Sequence, residues 1–421
     1  MSKTGFGPSG LHRADGGNVL HSTTRQIAHA RRRARTTAWF WQRCGCHAES
    51  LALLDAAGAT APELRLRAAY ALDLNATFLE LLGKRPVRGW TVAARGLSHL
   101  ALGDADAASA DLAVALKGSA DSGLWLRAAA AFAVLDAKHV RDALADRREA
   151  AARLLLAHLT GDAAGVPESA ERDLLQGDAA RMFARFGLAE DAPAIEGPRV
   201  SVIVAAYNAE RTIAAALASL AAQSWRNLEI LVVDDASTDR TAALAARFRL
   251  IRQPVNRGAY VARNVGVAAA TGDFIAFHDA DDVAHPERIA RQMAPLLQNK
   301  ELAFTTARWV RRDAMGKFRC RQIAPLLRLH VGSMLVGRPF LDAVGEFDPV
   351  RYGADSDMLL RLKVAAGPRR FEALTLPLTI GGYDPKSAVH DPATGYGERG
   401  FSRARQDYRE RRTLALIERL R

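Results

Sequence analysis

The sequence predicts an α/β fold, a doubly wound sheet with flanking helices, preceded by a region that is entirely helical. Runs of β-branched residues that alternate with helical segments in the second half of the chain indicate the sheet. In the first half, apolar residues recur at three- and four-residue spacing and strand-like alternation is absent. The length of 421 residues is enough for two or three such domains.

The helical region is expected over residues 26–188, where Ala, Leu and Arg dominate and short Gly-containing breaks separate amphipathic segments. Its clearest unit is Trp90–Leu116, two helical segments joined by a Gly-Asp turn. Small residues at Gly96, Ala108 and Ala115 would let these segments approach closely, and the arrangement resembles a tetratricopeptide repeat. An irregular helical bundle accounts for the same pattern equally well.

The α/β domain is expected over residues 199–398, after a Pro- and Gly-containing linker at 189–198. A flexible tail at 1–25 and a basic helix at 399–421 complete the predicted organisation. The predicted strands are Arg199–Ala205, Leu228–Val233 and Phe274–Phe277, and the predicted helices between and after them are Thr212–Gln223, Thr238–Phe248 and Val261–Ala270. This order is typical of a Rossmann-like sheet.

The net charge of +12 lies at the two ends of the chain. Residues 1–50 carry eight Lys and Arg against two acidic residues, and residues 399–421 carry eight Arg against three. Because about +1 remains for everything between them, a nucleic-acid groove through the fold is excluded. The basic ends instead predict contact with a protein partner or an anionic membrane surface, and a solvated charge run is the alternative.

Cysteine usage and hydropathy indicate a reducing compartment. Three cysteines cannot form a disulfide framework, and Cys44, Cys46 and His47 lack the second pair that a tetrahedral metal site needs. The N-terminal residues lack the apolar core of a signal peptide, and no apolar stretch is long enough to span a bilayer. The sequence therefore predicts a cytoplasmic protein, with peripheral attachment to the inner face of the membrane as a further expectation.

Carboxylates follow two of the predicted strands, at the sheet edge where open α/β folds bind ligands. They are Asp234, Asp235, Asp279, Asp281 and Asp282. Five carboxylates at one edge repel each other unless a cation is present. The alternation of Asp279 and Asp281 can aim two carboxylates at Mn²⁺ or Mg²⁺, which would stabilise charge on a departing diphosphate. Turn formation is the alternative, and for Asp282 it is capping of the helix expected near Pro286.

These residues resemble the nucleotide-sugar-binding half of family 2 glycosyltransferases with the GT-A fold, over roughly residues 199–380. The matching motifs are Val200–Asn208, Gln223–Trp225, Val232–Asp239, Asn256–Gly258, Ala262–Asn264, Gly272–Asp273 and Asp279–Asp282. The acceptor half matches more loosely through Gly332–Met334, Val344–Asp348 and Ala354–Arg361. The motifs are specific for the family and the fold but not for the sugar.

The resemblance implies that Ala205, Tyr207 and Asn208 lie at the nucleobase, and that Asp235 accepts a hydrogen bond from uracil. Tyr207 as a core residue remains an alternative, and Asp234 is expected to orient the turn. The family also implies a nucleoside-diphosphate sugar as the donor.

The same resemblance places the diphosphate, the sugar and the metal. Arg257 or Arg263 would pair with the diphosphate, although Arg263 as a structural residue is an equal alternative. Asp279 would contact the ribose or the sugar, and Asp281 would ligate the metal.

Inverting transfer needs a carboxylate that takes the proton from the attacking hydroxyl. The family supplies it as the Asp of a Glu-Asp pair six residues before an Arg, which makes Asp355 the expected base because Arg361 follows at that distance. Ala354 replaces the Glu, so the family's acceptor contacts are in doubt. Asp357 is the alternative, as a helix cap or a supporting residue.

Further acceptor contacts are expected at His330, Gly332 and Ser333, where the family builds an acceptor loop. A structural role for His330 is equally compatible with the sequence. A loop over residues 381–390 could close over the diphosphate through Lys386, Ser387 or His390, or lie at the surface without a ligand.

The sequence thus predicts an inverting, metal-dependent glycosyltransferase that moves a sugar from a nucleoside diphosphate, UDP by preference, to a hydroxyl of a glycan or cell-envelope precursor. The absence of a Gln-x-x-Arg-Trp sequence and of membrane helices favours transfer of a single residue over processive synthesis. The main alternative is a non-catalytic interaction protein with a vestigial nucleotide-binding domain. A nucleotidyltransferase would need a Gly-rich basic loop after the first strand, and Ala205–Ala209 is not one.

Overall fold

The computed structural model describes residues 30–36, 38, 42, 47–118, 123–163, 166–189, 191–319, 326–367, 369–383, 391, 393–397 and 400–420. The first half of this part of the chain is helical. Its helices are α1 His47–Ala56, α2 Pro62–Ala71, α3 Asn75–Leu82, α4 Trp90–Ala101, α5 Ala105–Leu116, α6 Gly123–Leu135, α7 Ala137–Leu144, α8 Ala150–Thr160, α9 Ala170–Leu175 and α10 Ala179–Arg185. The predicted Gly-containing breaks lie at helix ends. Gly83, Gly103 and Gly161 adopt positive φ there, which favours glycine.

Helices α4 and α5 form the closely packed pair that the small residues predict. A Cβ atom on Gly96 would lie 2.9 Å from Leu112 Cγ, so only glycine allows this approach. Arg95 donates to both carboxylate oxygens of Asp111 across the pair, at 2.7 and 2.5 Å. The close approach is confirmed, whereas the relationship to tetratricopeptide repeats stays a prediction.

The second half of the chain is a mixed sheet with helices on both faces. Its strands are β1 Val200–Ala206, β2 Leu228–Asp234, β3 Arg249–Arg252, β4 Phe274–Asp279, β5 Val283–Ala284, β6 Phe304–Arg312, β7 Phe318–Arg319, β8 Arg328–Gly337 and β9 Phe371–Gly382. A separate pair, β10 Tyr396–Gly397 and β11 Gly400–Phe401, follows them. The intervening helices are α11 Ile213–Ala221, α12 Thr241–Ala245, α13 Ala259–Ala269, α14 Arg288–Gln298, α15 Arg338–Val344 and α16 Ala354–Ala366.

The strand order is β3-β2-β1-β4-β8-β6-β9-β5, with β7 paired to β6. The first four strands are parallel, and β8 joins β4 in the antiparallel direction. The doubly wound α/β prediction is confirmed. In this register Ala205 of β1 pairs with Val233 of β2 and with Asp279 of β4, so the three strands end side by side.

Two predicted segments differ from the structure. The helix expected over 238–248 is confined to Thr241–Ala245, because Arg249–Arg252 forms a short edge strand beside β2. The linker expected at 189–198 is partly ordered against the sheet, where Ile195 forms a parallel bridge with Trp225 and its N–H donates to Ser224 O at 2.8 Å.

The C-terminal helix, α17 Arg403–Leu420, packs across both parts of the molecule. Its Ile417 lies in one apolar cluster with Leu74 and Phe78 of the helical half and with Leu360 and Val364 of α16. Among the described residues, no helix combines the length and apolar character needed to cross a membrane.

Candidate active site

The paired aspartates at the end of β2, Asp234 and Asp235, are buried and hydrogen-bond to the surrounding loops. Asp234 accepts from Ser237 N at 3.2 Å, so it orients the turn as expected. Asp235 accepts from Gln253 Nε2 at 2.7 Å and from the N–H groups of Arg257 and Gly258 at 2.9 and 2.7 Å. The Asp235 carboxylate therefore fixes the loop that leads into α13.

The residues expected at the nucleobase follow β1 at the same edge. Tyr207 is 52% exposed, so its interpretation as a core residue is wrong. Asn208 has a positive φ of 46°, and its side-chain oxygen accepts from Thr238 N at 2.9 Å. Ala205, two positions before Tyr207, lies partly buried in β1 between β2 and β4. The exposed ring of Tyr207 thus follows β1 at the sheet edge where β2 ends in Asp234.

The two candidate arginines occupy different environments. The Arg257 side chain is exposed, whereas Arg263 is only 4% exposed. The Arg263 guanidinium pairs with Asp279, and its central carbon lies 5.3 Å from the Tyr260 ring centroid. Burial alone would lower the pKa of Arg263, but the Asp279 carboxylate and other nearby anionic groups raise it instead. Arg263 is therefore a charged, fixed part of the site.

Asp279, Asp282 and His330 form an acidic cluster at the end of β4. Each can offer one ligand atom, and these atoms lie within 4.8 Å of one another. Asp282 and His330 are both 2% exposed. Among the described residues, Asp282 Oδ2 and His330 Nδ1 have no hydrogen-bond partner. The cluster thus contains two buried polar atoms that no described residue satisfies, beside an Asp279 carboxylate that is paired with Arg263.

Burial raises the pKa of Asp282 well above its ordinary value, and the Asp281 and Asp279 carboxylates raise it further. The expectation that Asp282 caps the next helix is wrong, because α14 begins at Arg288 and its capping position is Glu287. Asp281, the residue expected to hold the metal, is exposed and does not belong to the cluster. The turn after β4 explains the difference, since Asp282 N donates to Asp279 O at 3.2 Å and brings these two residues together.

Two buried residues that the sequence reasoning missed hold this turn. Arg288 Nη1 lies 2.6 Å from His278 Nδ1, and His278 Nε2 lies 3.1 Å from Asp282 O. Since a guanidinium only donates, His278 Nδ1 accepts and Nε2 carries the proton. Burial lowers the pKa of His278 to about 3, with a further contribution from Arg288, which keeps the ring neutral. The sequence signal that could have revealed this contact was Arg288, an Arg at a core position of α14.

His330 is stacked on Trp309, with ring centroids 4.2 Å apart and planes within 2°. Burial holds the pKa of His330 well below its ordinary range, so the ring is neutral and able to ligate a metal. A Cβ atom on Gly332 would lie 2.9 Å from His330 Nε2 and 3.6 Å from Asp279 Oδ2. The missing side chain of Gly332 therefore keeps open the space beside the cluster.

The structure does not bring Ser333 to the site. Its side chain is fully buried, and its hydroxyl accepts from Ala307 N at 2.8 Å and donates to His330 O at 2.6 Å. The pairing of β6 with β8 shifts register next to Ala307. The Ser333 hydroxyl therefore satisfies backbone groups of Ala307 and His330 at this irregularity and stabilises the segment that carries His330.

Asp355 lies in the first turn of α16, where its Oδ1 accepts from Ser356 N at 2.8 Å. Burial raises the pKa of Tyr260, and the nearby Asp355 carboxylate raises it further. Asp357 does not cap the helix, because α16 begins at Ala354 after Gly353 without a side-chain cap. It accepts instead from Arg361 Nε at 2.8 Å, which makes it a buried partner of an ion pair.

The two halves of the site meet at Arg263. Its guanidinium pairs with Asp279 on the sheet side, and the electrostatic influence of both Asp355 and Tyr260 raises its pKa. The candidate base and Asp279 of the cluster therefore both act electrostatically on Arg263. Lys386, Ser387 and His390, like Cys44 and Cys46, lie outside the described residues.

The family model of glycosyl transferase family 2 matches residues 201–354. Residues 201–354 of this chain thus resemble a family 2 glycosyltransferase domain. The match runs from β1 into the first residue of α16, so it includes the acidic cluster and stops just before Asp355. The mixed sheet behind the cluster agrees with the GT-A prediction.

Curated relatives resemble the glycosyltransferase domain over part of their length. Putative glycosyltransferase EpsE of Bacillus subtilis is 36% identical over 152 residues, which are 34% of this chain and 54% of the relative. Succinoglycan biosynthesis protein ExoO of Rhizobium meliloti is 46% identical over 107 residues, 24% of this chain and 31% of the relative. The Escherichia coli UDP-Glc:alpha-D-GlcNAc-diphosphoundecaprenol beta-1,3-glucosyltransferase WfgD is 38% identical over 105 residues, which are 24% of this chain and 42% of the relative. The chain thus spans about half or less of these relatives.

Solved structures also resemble the domain, at low overall similarity. S. aureus TarS 1-349 in complex with UDP has 21% identity and a TM-score of 0.39, covering 52% of this chain and 65% of that one. A second structure is glucosyl-3-phosphoglycerate synthase from Mycobacterium tuberculosis in complex with Mn²⁺, UDP and glucosyl-3-phosphoglycerate. It has 22% identity and a TM-score of 0.37, and the match covers 45% of this chain and 74% of that one.

Proposed function

We propose that the chain is an inverting, metal-dependent glycosyltransferase that transfers a sugar from UDP to a hydroxyl of a glycan or lipid-linked cell-envelope precursor. The observation that carries the proposal is the convergence of the Asp279, Asp282 and His330 cluster with Asp355 around Arg263. Two relatives, one named as a succinoglycan biosynthesis protein and one as a UDP-Glc-dependent glucosyltransferase, support the donor and acceptor classes.

The residues of the cluster fit a divalent cation. Two carboxylates and a neutral imidazole are suitable ligands for Mn²⁺ or Mg²⁺, and Asp282 Oδ2 and His330 Nδ1 are buried without partners among the described residues. Asp279, Asp282 and His330 would hold the ion, with Asp281 as a further ligand that the sequence pattern proposes. When bound, the ion supplies positive charge to the departing diphosphate.

The chain's own residues bind and orient the substrates. Asp235 and the loop it fixes, together with Ala205, Tyr207 and Asn208, would hold the nucleobase. The exposed Arg257 would reach the diphosphate, while Arg263 keeps Asp279 ionised and in place. Asp355 would accept the proton from the attacking hydroxyl, which strengthens that oxygen as a nucleophile. Acceptor contacts are proposed near His330 and Gly332.

The remaining parts of the chain receive roles consistent with this activity. Residues 199–398 would form the catalytic unit and residues 26–188 a helical support, with a cytoplasmic location. The side chains of Arg31, Arg32, Arg33 and Arg35 are exposed, which supports contact with an anionic partner or membrane surface.

A donor panel tests the proposal. The purified chain is incubated with UDP-, GDP- and dTDP-sugars in Mn²⁺, in Mg²⁺ and in excess chelator, and nucleoside-diphosphate release is measured. We expect release from a UDP-sugar that requires the metal. Metal-dependent UDP binding without release from any donor, even with added glycan acceptors, would favour the non-catalytic interaction protein.

A further inference from the structure

We propose that the C-terminal helix α17 positions the helix that carries Asp355 and connects it to the N-terminal helices, with Arg412 as the positioning residue. The inference rests on the proposed role of Asp355 as the base. It also gives the helical half of the chain a function within the reaction, as the support of the acceptor side of the site.

Arg412 joins α17 to the acceptor half through two carboxylates. Its Nε lies 3.1 Å from Asp357 Oδ1 and 3.1 Å from Asp348 Oδ2. Asp357, two residues after Asp355, has a side chain that is only 5% exposed. Because an ion pair is stronger where water is largely excluded, this contact restrains the first turns of α16.

Tyr408 makes a second contact with the start of the same helix. Its hydroxyl donates to Asp348 Oδ2 at 3.0 Å, and its ring covers Gly353 so closely that a Cβ atom there would lie 3.1 Å from the ring. Gly353 is the capping position of α16 and has a φ of 79°, two residues before Asp355. Tyr408 therefore fixes the point at which the chain enters the Asp355 helix.

The contacts of α17 with the helical half lie one turn or less from these residues. Gln406 Oε1 accepts from Asn75 Nδ2 at 3.1 Å, and Glu410 accepts from Ala76 N at 3.1 Å, both at the start of α3. Arg409 pairs with Asp73 at 2.6 Å. Helix α17 is thus bound to α3 on one side and to α16 on the other by hydrogen bonds and ion pairs.

A base must be held close to its productive position, since a displacement of about 1 Å can cost on the order of 100-fold in rate. The hydrogen bond that Asp355 accepts from Ser356 N orients its carboxylate, but this bond depends on where the first turn of α16 lies. The ion pair of Arg412 and the ring of Tyr408 set that position from outside the site. Neither residue needs to touch the substrate.

Amide hydrogen exchange of the full chain tests this positioning without any substrate. We compare wild type with Arg412→Gln, Arg412→Lys and the control Arg411→Gln, which makes the same change at the exposed neighbour. In Arg412→Gln, exchange of a peptide spanning 354–366 should accelerate about tenfold. Peptides from β1 and β2 should keep their rates, as should every peptide of Arg411→Gln. Unchanged exchange at 354–366 would overturn the proposal.

Activity and binding separate positioning from general damage. UDP affinity in Mn²⁺ should be unchanged in Arg412→Gln, whereas kcat with the active UDP-sugar falls and Arg412→Lys restores part of it. A variant that loses UDP affinity in parallel with kcat would contradict the positioning role. If Arg412→Gln does not fold, Tyr408→Phe, which removes only the hydroxyl bond to Asp348, takes its place with the same readouts.

The failure of the two proposals can be told apart. Faster exchange at 354–366 in a protein that turns over no donor would overturn the glycosyltransferase function and leave the coupling between α17 and α16 standing. Normal turnover and normal exchange in Arg412→Gln, beside an active wild type, would overturn the positioning role alone.

Discussion

Asp282 Oδ2 and His330 Nε2 lie 3.5 Å apart in the buried floor of the site, beyond the usual length of an N–H···O hydrogen bond. Both side chains are almost completely buried, and the neutral His330 brings no positive charge to compensate the carboxylate. A buried carboxylate without compensation is unfavourable, and a divalent cation removes that cost. The first prediction follows from this pair.

Asp282→Asn should weaken metal-dependent UDP binding by about 10–100-fold, as the loss of a ligand or its close support does in other metal sites. Titration calorimetry with UDP in Mn²⁺ measures it, and Asp281→Asn is the matched comparison one residue away. An equal loss in both variants would make Asp281 a second ligand. Normal affinity in Asp282→Asn beside a loss in Asp281→Asn would contradict the cluster and support the ligand that the sequence alternation indicates.

The same aspartate predicts a pH dependence in the metal-free protein. Its folded-state pKa is raised, so its contribution to stability is present at low pH and is lost as the pH rises above its unfolded value. Asp282→Asn should therefore raise the thermal midpoint of metal-free protein at pH 8 and have little effect at pH 4. Thermal unfolding in chelator measures both, and a lower midpoint for the variant at pH 8 would contradict the account.

Gly332→Ala should disturb the cluster sterically. Its Cβ atom would lie 2.9 Å from His330 Nε2, and overpacking of this kind typically costs about 1–3 kcal/mol. We expect lower metal-dependent UDP affinity and a lower thermal midpoint. Gly337→Ala in the same strand is the control, because the nearest atom to its Cβ is 3.8 Å away. Equal UDP affinities and equal thermal midpoints in the two variants would contradict a role for Gly332 in the site.

Asp355→Asn should leave UDP binding intact and lower kcat by about 10²–10⁴-fold, the usual contribution of a general base. Asp357→Asn should retain more turnover but lower the free energy of unfolding by about 1–3 kcal/mol, because Asp357 pairs with Arg361 and Arg412. Steady-state kinetics and denaturant unfolding separate the two effects. Loss of turnover in Asp357→Asn with normal turnover in Asp355→Asn would assign the general base to Asp357 and contradict the assignment to Asp355.

Glu229→Gln tests the stability of the sheet away from the site. Burial alone would raise the pKa of Glu229, but hydrogen bonds from Ser201, Thr271 and Arg249 outweigh it and lower the pKa to about 2. A depressed pKa contributes stability above the unfolded value that is lost as the pH falls towards 2. The variant should unfold about 1–3 kcal/mol more easily at pH 7, with the difference shrinking below pH 4. A constant difference across pH would contradict this.

Strands β1, β2 and β4 of the parallel core could be predicted from the sequence because each is a short run of mainly apolar residues. Strand β6 ends in Trp309–Arg312, and β9 contains Pro377, so neither carries that signal. Both are strands because β8 pairs with β4 and continues the sheet, a long-range relationship that no local pattern encodes.

The acidic residues of the site were also predictable, whereas their grouping was not. The alternation of Asp279 and Asp281 assumes that the strand continues, but β4 ends at Asp279 and a turn brings Asp282 back to it. His278 and Arg288 escaped notice because only the packed structure shows that they are buried against each other. The geometry of this turn and the burial of these polar groups depend on tertiary packing, so the local sequence pattern could not predict them.

Asp355 is proposed to take the proton from the acceptor hydroxyl as that oxygen attacks a metal-bound nucleotide-sugar. The most direct measurement is the rate of UDP release from the active UDP-sugar and acceptor, for wild type and Asp355→Asn, in Mn²⁺ and in chelator. The account predicts release by wild type in Mn²⁺ only, and in Asp355→Asn a rate at least about 100-fold lower with unchanged UDP affinity. Equal rates for the two proteins, or full activity of wild type in chelator, would contradict it.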